Sequence, residues 1–314
     1  MATVLLVGAS GRLGKALSDK LLEQGYKVRP VVRNEKHKLT KDTIICDLSK
    51  SILSPSAFSG VDFVIWAAGL TGSHPYEKLR QANVITINNL LSSCPSSVKK
   101  VVIASSISVY GLHEGKIIDE SSPTHPKTPY GKSKLEGENA ARLFCPKLPI
   151  VLLRIGMIYG PGFEQGYFKV FELLSKGKMP FVGNANNRIP LVHISDVVSA
   201  FICAMRQKTP PCREYNIVGM QQPTQKELLC AASSKLNAPA PRLHCPPFLL
   251  SFFVNTWSLF GKPPFDAENI YQLSSDRAFS IARAKKELGW QPRVSILQGL
   301  SQMIKIYKWK VQGK

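Results

Sequence analysis

The sequence lacks the cysteine and histidine spacings that mark a zinc site or a disulfide framework. Its seven cysteines are scattered, odd in number and never arranged as Cys-x-x-Cys, and its six histidines form no pair four residues apart. Because metal sites and disulfide scaffolds are recognised by such spacings, we expect neither in this chain. Cysteine usage of this kind favours a reducing compartment, and we predict a cytoplasmic protein.

Long apolar runs and a leader-like N-terminus are also missing. Residues 1–8 have no basic segment and run directly into an apolar strand pattern, unlike a signal peptide. The longest apolar stretch, residues 246–261, is too short to span a bilayer and contains Asn255. We therefore expect no transmembrane segment, and the 314 residues, 44% of them hydrophobic, suffice for a large globular core.

Acidic residues are scarce, because 21 Asp and Glu stand against 41 Lys and Arg, for a formal net charge of +20. The basic residues are spread along the chain, without a long basic run or the aromatic-plus-basic motif of an RNA-binding module. The charge predicts a surface that attracts anionic cofactors and substrates rather than a dedicated nucleic-acid site.

The sequence does contain a regular alternation of strand and helix patterns. Short apolar runs typical of buried parallel strands alternate with segments of helical periodicity, such as residues 81–93 and 130–144. The runs cover residues 4–7, 28–32, 43–46, 63–67, 101–104 and 150–153. This order predicts an α/β fold, a Rossmann-type doubly wound parallel sheet that binds ligands beyond the carboxyl ends of its strands.

We divide the chain into a dinucleotide-binding domain, residues 1–160 and 190–219, and a smaller, mostly C-terminal substrate domain, residues 161–189 and 220–314. The stretch REYNIVG, residues 213–219, is predicted to supply the last strand of the first domain. The Thr224-x-x-Glu227 pattern that follows is a capping box and predicts the start of a helix.

The first strand pattern ends in a glycine-rich turn that contains Gly8, Gly11 and Gly14. Glycine permits a tight turn and a close approach of ligand to backbone, and the N-terminus of the following helix favours an anion. A pyrophosphate fits this arrangement, although any buried strand-turn-helix can use glycines in the same way.

Chemically useful side chains occur together in the stretch PYGKSK, where Tyr130 and Lys134 are four residues apart at a helix start and so share one helical face. Lowering a tyrosine pKa from about 10 to about 7 requires roughly 4 kcal/mol. One charge about 6 Å away supplies roughly 3 kcal/mol at an effective dielectric near 20. Lysine alone is therefore insufficient, and the cation of an oxidised nicotinamide ring would supply the remainder.

The ordered motifs of the chain resemble those of extended short-chain dehydrogenases/reductases, the NAD-dependent epimerase/dehydratase group. Stretches that resemble the family's later motifs extend the likeness over nearly the whole chain, at residues 153–162, 190–201 and 287–300. The motifs that carry the resemblance are GASGRLG, Asp47-Leu48, Ala67-Ala68-Gly69, Asn83, SSxxVYG and YGKSK.

The resemblance implies a role for each matching residue. Tyr130 would be the proton donor or acceptor, Lys134 its electrostatic partner and a ribose ligand, and Ser106 would hold the substrate oxygen. Ser105 is the competitor for that last role, with strand packing as its alternative. Asn83 would support the site from its helix or lie on the helix surface.

The resemblance also implies the residues that hold the cofactor. Asp47 would meet the adenine, or be an ordinary turn aspartate after a strand. The full predicted set is Gly8, Ser10, Gly11, Arg12, Leu13, Gly14, Arg33, Asp47, Leu48, Ala67, Ala68, Gly69 and Lys134.

The choice between NAD and NADP depends on the end of the second strand pattern, YKVRPVVRN. NAD-specific dinucleotide folds usually place Asp or Glu there, whereas this chain has Arg33, with Arg12 inside the glycine turn. Two guanidinium groups suit a 2′-phosphate, so we favour NADP over NAD. The alternative is that both arginines are solvated surface groups.

Two further polar residues match the family's later motifs. His193 is interpreted as a structural histidine rather than a functional one. Arg154 has two open roles, since it can bind a substrate phosphate or pair with an acidic side chain.

The substrate is the least determined part of the prediction. The family implies hydride transfer between the nicotinamide C4 and a hydroxyl or ketone carbon, with a sugar nucleotide as the first substrate class and a homodimer as the assembly. A departure at residues 188–190 and the Phe- and Leu-rich segment 248–260 keep a 3β-hydroxysteroid-like alcohol as an alternative, while the same segment is also compatible with an ordinary buried helix. A non-catalytic NADP sensor is the alternative of a different class, against which Tyr130 and Lys134 argue.

Overall fold

The computed structural model describes residues 1–111, 117–249 and 275–312. The strands lie in the order that the apolar runs predict, with short additional pairs between them. They are β1 Thr3–Val7, β2 Lys27–Val32, β3 Ile44–Ile45, β4 Phe63–Trp66, β5 Lys100–Ser106, β6 Ile117–Ile118, β7 Ile150–Ile155, β8 Met157–Tyr159, β9 Phe181–Val182, β10 Leu191–His193, β11 Arg213–Ile217, β12 His244–Cys245 and β13 Ala278–Phe279.

Helices alternate with the strands of the main sheet, and several of the remaining ones come from the C-terminal third of the chain. They are α1 Arg12–Glu23, α2 Tyr76–Arg80, α3 Thr86–Ser93, α4 Pro129–Arg142, α5 Glu164–Ser175, α6 Ile194–Arg206, α7 Gln225–Leu236, α8 Ala282–Leu288 and α9 Ile296–Gln312. The predicted helix over residues 81–93 is interrupted, because Gln81–Ile85 form a π-helical turn between α2 and α3.

The main sheet is parallel throughout and has the strand order β3-β2-β1-β4-β5-β7-β11. The order reverses between β1 and β4, which is the switch point where doubly wound sheets bind their ligands. Helices α1 and α6 contact each other and lie on one face, and α3 and α4 contact each other and lie on the other. The predicted Rossmann-type doubly wound fold is confirmed.

The centre of the sheet is the most deeply buried part of the molecule. Every residue of β5 and of β7 is buried, so these strands read as the continuous apolar runs of a sheet covered on both faces. The last predicted strand is confirmed as β11, and the Thr224 capping box is present at the start of α7. The third predicted strand, by contrast, is only the two residues of β3, at the edge of the sheet.

A second hydrophobic cluster is formed mainly by α5, α7 and α9, with Tyr159 at its edge toward the sheet. Its side chains include Phe171 and Tyr307, whose rings pack edge to face with centroids 5.7 Å apart. The predicted domain boundaries stay a prediction, and most of the Phe- and Leu-rich segment, with Trp257, lies outside the described residues.

The cysteine spacing predicts no disulfide framework, but one pair of cysteines does form a disulfide. Cys145 and Cys212 are disulfide-bonded, with Cα atoms 5.6 Å apart and a separation of 67 positions along the chain. No spacing motif marks the pair, because Cys145 precedes β7 and Cys212 precedes β11. These two strands are adjacent and parallel, so the segments that lead into them, and with them the two cysteines, lie side by side. The cysteine argument for a reducing compartment therefore no longer holds.

Two expectations about absent features concern the same described part of the chain. Within residues 1–111, 117–249 and 275–312, no helix is long and apolar enough to cross a membrane. In those ranges the histidine, cysteine and acidic side chains also form no cluster of three or more that could hold a metal ion.

Candidate active site

The glycine-rich turn between β1 and α1 is built so tightly that side chains are excluded from it. Gly8 has φ +83°, and a Cβ there would lie 2.7 Å from the backbone of Ala68 at the end of β4. A Cβ on Gly14 would collide with the carbonyl oxygen of Gly8. The turn thus brings bare backbone and the N-terminus of α1 to the switch point of the sheet, which is the arrangement that binds a pyrophosphate.

A cavity of about 520 Å³ opens beside this turn, at the carboxyl ends of β1, β2 and β4. Its wall continues over the start of the following helices, from Glu77 to Thr86. Among the predicted cofactor residues, the cavity is lined by Gly8, Ser10, Arg33, Asp47, Leu48, Ala68 and Gly69. The remaining predicted cofactor residues, Gly11, Arg12, Leu13, Gly14, Ala67 and Lys134, lie outside its lining.

The two arginines that sequence reasoning assigned to one phosphate have different surroundings. Arg33 is exposed and lines the cavity beside Asp47. Arg12 is also exposed, but its guanidinium carbon lies 4.8 Å from the centre of the Phe163 ring, in the loop before α5. Of these two arginines, only Arg33 lines the cavity.

The side chain of Asp47 caps the turn that follows β3, as an aspartate after a strand often does. Its Oδ1 accepts hydrogen bonds from the backbone N–H and the hydroxyl of Ser49, at 3.1 and 2.7 Å. Burial acts to raise the pKa of Asp47, but the Ser49 hydrogen bonds and the charge of Arg33 outweigh it, so the pKa is below its usual value. Asp47 is thus an ionised acceptor at the cavity wall.

Helix α4 carries the predicted Tyr130 and Lys134 one turn apart. The helix begins with a Thr128 cap, whose hydroxyl accepts the Gly131 N–H, and with Pro129 at the first helical position. Lys134 is buried, and its Nζ donates a 2.8 Å hydrogen bond to the carbonyl of Ala104 on β5. Burial lowers the pKa of Lys134 to about 7, against the charge of Glu138, which raises it. The surroundings of Lys134 thus disfavour its ammonium form relative to an exposed lysine.

The two serines at the end of β5 have different partners. Ser106 accepts the backbone N–H of Ser108 at 3.1 Å, a bond that uses its oxygen as acceptor only. Ser105 donates a 2.5 Å hydrogen bond to the buried carboxylate of Glu138 on α4. Ser105 is thereby occupied in holding the strand to the helix, and Ser106 remains the serine with a hydroxyl hydrogen to offer a substrate oxygen.

Asn83 is fully buried in the π-helical turn and ties three segments together. Its Oδ1 accepts the N–H of Leu70 at 2.9 Å, and its Nδ2 donates to the Leu70 carbonyl and to Ser133 on α4, both at 3.0 Å. A Cβ on Gly137 would lie 2.6 Å from the Asn83 carbonyl, so α4 approaches this turn closely. The alternative of a helix-surface asparagine is wrong.

Sequence reasoning left the role of Arg154 open, and the structure pairs it with an acidic side chain. The guanidinium of Arg154 on β7 makes a bidentate contact with Glu138, with Nη2–Oε2 at 2.7 Å and Nε–Oε1 at 3.0 Å. Its Nη1 donates to Tyr110 Oη at 2.8 Å. Burial opposes the charge of Arg154, but the bonds and charge of Glu138 outweigh it and raise the Arg154 pKa. This guanidinium is committed to the core beneath the site.

Glu138 and Trp66 are functional candidates that sequence reasoning missed. Glu138 carried a readable signal, since it lies one turn beyond Lys134 on the same face of a predicted helix. Trp66 carried a weaker one, since it ends the strand next to β1. Its ring lies below the Lys134 ammonium, with Nζ 4.6 Å from the ring centre.

His193 is buried at the N-terminus of α6. Its Nδ1 accepts the Ser195 N–H at 3.3 Å and contacts the Ser195 hydroxyl at 2.7 Å, so it caps the helix. Burial lowers the pKa of His193 below its usual value. These contacts are those of the structural histidine that the sequence predicted.

Near the predicted substrate region, Arg188 makes a bidentate ion pair with Asp276, with contacts of 3.0 and 2.8 Å. Of the Phe- and Leu-rich segment, Phe248 and Leu249 are described, and both are exposed, by 69% and 48%. Phe252, Phe253, Trp257 and Phe260 lie outside the described residues.

The parallel sheet, the glycine turn and the Tyr130–Lys134 helix define the class of protein, a nicotinamide-dependent enzyme of the extended short-chain dehydrogenase/reductase type. A model of the NAD dependent epimerase/dehydratase family matches residues 4–218, and the chain belongs to this family. The predicted membership is confirmed.

Two relatives with known activities cover nearly the whole chain. UDP-glucose 4-epimerase from Vibrio cholerae is 24% identical over 96% of this chain and 94% of its own length. The 2-alkyl-3-oxoalkanoate reductase from Stenotrophomonas maltophilia is 27% identical over 96% of this chain and 98% of its own length.

Among solved structures, UDP-glucuronic acid 4-epimerase from Bacillus cereus in complex with NAD is similar with a TM-score of 0.77. The identity is 19%, and the match covers 98% of this chain and 100% of the other. At this identity the likeness concerns the fold, which it supports independently of the family model.

Proposed function

We propose that this enzyme transfers a hydride between the nicotinamide C4 of a bound dinucleotide and a hydroxyl-bearing or ketone carbon of a sugar nucleotide, with Tyr130 as the proton donor or acceptor. The observation that carries the proposal is α4, which aligns Tyr130 with a buried Lys134 at the carboxyl edge of the sheet, beside a glycine turn that a Cβ would block.

The residues around the turn and the cavity fit a dinucleotide. The bare backbone of Gly8 and Gly14 leaves room for a pyrophosphate at the N-terminus of α1, and Asp47 is an ionised acceptor in the wall of the adenosine-sized cavity. When bound, the nicotinamide supplies a hydride acceptor or donor. Lys134 would hold the adjacent ribose and favour the tyrosinate form of Tyr130, while Ser106 would donate a hydrogen bond to the substrate oxygen.

In this proposal the proton follows the hydride. As the carbon that bears the substrate hydroxyl gives up its hydride, the tyrosinate form of Tyr130 would accept the hydroxyl proton. In the reverse direction the Tyr130 phenol would return that proton to the carbonyl oxygen. Ser106 keeps that oxygen within reach of Tyr130 in both directions. Asn83 acts indirectly, since its hydrogen bonds to Leu70 and Ser133 fix α4 relative to the loop after β4.

Charge and relatives support a sugar nucleotide as the substrate class. The net charge of +20 favours an anionic diphosphate over a neutral alcohol. A relative over nearly the full length acts on UDP-glucose by name, and the family model carries the epimerase/dehydratase description.

A second candidate, an apolar alcohol or 3-oxo substrate, is favoured by two observations. The relative from Stenotrophomonas is a reductase of 2-alkyl-3-oxoalkanoates, and Phe248 and Leu249 form an exposed apolar start to the Phe- and Leu-rich segment. Tyr130, Lys134 and Ser106 would perform the same proton chemistry on either substrate.

We further propose NADP as the preferred cofactor. Arg33 lines the cavity where many NAD-specific folds place an acidic residue for the ribose diol. A guanidinium there suits a 2′-phosphate. Homodimerisation and a cytoplasmic location stay predictions, which size-exclusion chromatography and cell fractionation test, and the Cys145–Cys212 pair removes one argument for the location.

The test is a binding titration followed by a substrate panel. NADPH and NADH are titrated by fluorescence, and UDP-sugars, GDP-sugars and hydroxysteroids are then screened by absorbance at the nicotinamide band and by NMR of the product sugar. Turnover of a sugar nucleotide by the wild type but not by Tyr130→Phe supports the proposal. Turnover of apolar alcohols alone would contradict it in favour of the second candidate.

A further inference from the structure

Lys134 is buried with few groups to compensate its charge. Its Nζ donates one hydrogen bond, to the Ala104 carbonyl, and its side chain lies in a layer between α4 and the sheet. An ammonium in such a place loses most of its hydration and needs a compensating partner to stay charged. What compensates this ammonium determines how well Lys134 can support Tyr130.

The nearest carboxylate is a poor source of compensation. Glu138 lies one turn along the helix, but its oxygens already accept two Arg154 contacts and the Ser105 hydroxyl. A carboxylate paired with a guanidinium is close to neutral when seen from a third charge. Glu138 therefore raises the Lys134 pKa much less than an unpaired acid would.

Apart from Glu138, the elements packed around Lys134 supply polar groups that carry no negative charge at neutral pH. Its own helix carries Tyr130 and Ser133, the π-helical turn supplies the Asn83 amide, and β7 supplies Arg154, which acts through Glu138. From β4 comes Trp66, which is fully buried.

Trp66 offers its ring to the lysine. Nζ of Lys134 lies 4.6 Å from the centre of that ring, well within the distance at which the negative face of an indole attracts a cation. The bare Gly69 loop lies against both groups, since a Cβ on Gly69 would be 3.5 Å from Lys134 Nζ and 3.5 Å from Trp66 Cη2. The aromatic face and the ammonium are thus held together by the fold.

We propose that Trp66 is a positioning residue of the active site, whose ring face holds the Lys134 ammonium charged and in place for Tyr130. The role of Lys134 in this inference rests on the proposed function, but the contact itself is tested on the protein alone. Without the ring, the ammonium keeps its burial and loses an attraction, so the Lys134 pKa falls further and the charged form is lost at lower pH.

The experiment follows Lys134 directly in the cofactor-free protein. Lysine labelled with ¹³C at Cε is incorporated, the Lys134 resonance is identified by its absence in Lys134→Met, and its shift is recorded against pH. We expect the Lys134 pKa to fall by about 0.5–1 unit in Trp66→Leu and by less in Trp66→Phe, which keeps an aromatic face. Trp290→Phe is the matched control, because Trp290 is a second buried tryptophan and the described residues place no cation over its ring; it leaves the pKa unchanged.

A nearly isosteric variant covers the case in which Trp66→Leu fails to fold. Growth on difluorotryptophan keeps the shape of the indole and weakens the negative charge of its face, so the Lys134 pKa falls in the otherwise wild-type chain. In the Trp66→Phe background the same fluorination has no effect on Lys134.

An unchanged Lys134 titration in the fluorinated wild-type chain overturns the inference, and so does a fluorination shift that persists in the Trp66→Phe background. Both readouts are independent of turnover. A chain with the expected shifts but no activity on sugar nucleotides keeps the role of Trp66 and refutes the proposed substrate.

Discussion

At the scale of single residues, the site consists of a few side chains whose partners are fixed by burial. Lys134 donates a hydrogen bond to β5, and Asn83 joins the π-helical turn to α4. The hydroxyl of Ser105 donates to Glu138, whereas the Ser106 oxygen accepts the Ser108 N–H. The chemistry proposed for Tyr130 depends on these fixed neighbours. Substitutions at this scale therefore separate the chemical step from binding.

Tyr130→Phe is expected to abolish hydride transfer and to leave cofactor affinity within a few fold. Only the phenolic O–H is removed, so the ring continues to pack while the proton donor is gone. Turnover on an identified substrate and cofactor titration together measure this. Activity near the wild-type level would rule Tyr130 out, and Ser105→Ala is a matched control that removes a hydroxyl of β5 assigned to packing.

Arg33→Ala is expected to weaken NADPH binding by about 1.5–3 kcal/mol and to affect NADH little, because it removes a charge-assisted contact to the 2′-phosphate alone. Arg12→Ala, whose guanidinium lies on Phe163, is expected to change the two affinities equally. Titrations of NADPH and NADH against the wild type and both variants, six protein–cofactor pairs in all, measure the difference. Equal losses for both cofactors in Arg33→Ala would contradict the assignment of NADP.

At the scale of elements, α4 is fixed to the sheet by charge as well as by packing. Glu138 on α4 and Arg154 on β7 are 2% and 3% exposed, and Ser105 and Tyr110 complete their hydrogen bonds. At the sheet edge, Glu287 of α8 binds Arg213 and Tyr215 of β11. The first contact positions α4, which carries Tyr130 and Lys134, and the second secures the last strand.

Glu138→Gln is expected to destabilise the fold by about 3–5 kcal/mol, because it leaves the Arg154 charge buried and uncompensated. The double variant Glu138→Gln/Arg154→Met is expected to cost less than the sum of the two single changes. Chemical denaturation measures these free energies. Glu23→Gln breaks the exposed pair with Lys20 and serves as the control, with an expected loss of stability below about 1 kcal/mol. A loss below about 1 kcal/mol for Glu138→Gln as well would contradict the account.

The edge contact predicts a pH dependence. The Arg213 hydrogen bond, aided by Tyr215 and working against burial, lowers the pKa of Glu287 from 4.5 to about 2. The folded state therefore holds this carboxylate ionised where the unfolded state begins to bind a proton, so its contribution is complete above pH 4.5 and is lost as the pH falls toward 2.

Glu287→Gln is accordingly expected to lower the free energy of unfolding by about 1–2 kcal/mol at pH 7, a range reduced for the solvent exposure of Arg213. The difference from the wild type should shrink steadily between pH 4.5 and pH 2. Urea denaturation across that range measures it. A difference independent of pH would show that Glu287 acts by packing rather than by charge.

At the scale of the whole molecule, the parallel order and the ordered motifs were predictable because each is local in the sequence. Apolar runs predict buried strands, and glycines and a Tyr130–Lys134 spacing predict the turn and the helix that follow them. A chain of alternating strands and helices forms a parallel sheet of this topology. The sheet then brings the ends of β1, β4 and β5 together.

Contacts between distant segments were not predictable, because they depend on strand register and helix approach. Arg154 meets Glu138 because Arg154 lies opposite Ser105 in the sheet and α4 covers that position. Trp66 meets Lys134, and Cys145 meets Cys212, for the same kind of reason. In each case no spacing pattern links the two partners, which are 16 to 68 positions apart along the chain.

The central claim is that α4 and the glycine turn form one hydride-transfer site for a sugar nucleotide. The most direct measurement supplies purified protein and NADP⁺ or NAD⁺ with UDP-sugars deuterated at the reacting carbon, and follows the label by NMR in the wild type and in Tyr130→Phe. The account predicts that the wild type moves deuterium between the sugar carbon and the nicotinamide and that the variant does not. Recovery of every UDP-sugar with its label in place and its configuration unchanged, from a wild-type protein that binds its cofactor, would contradict the claim.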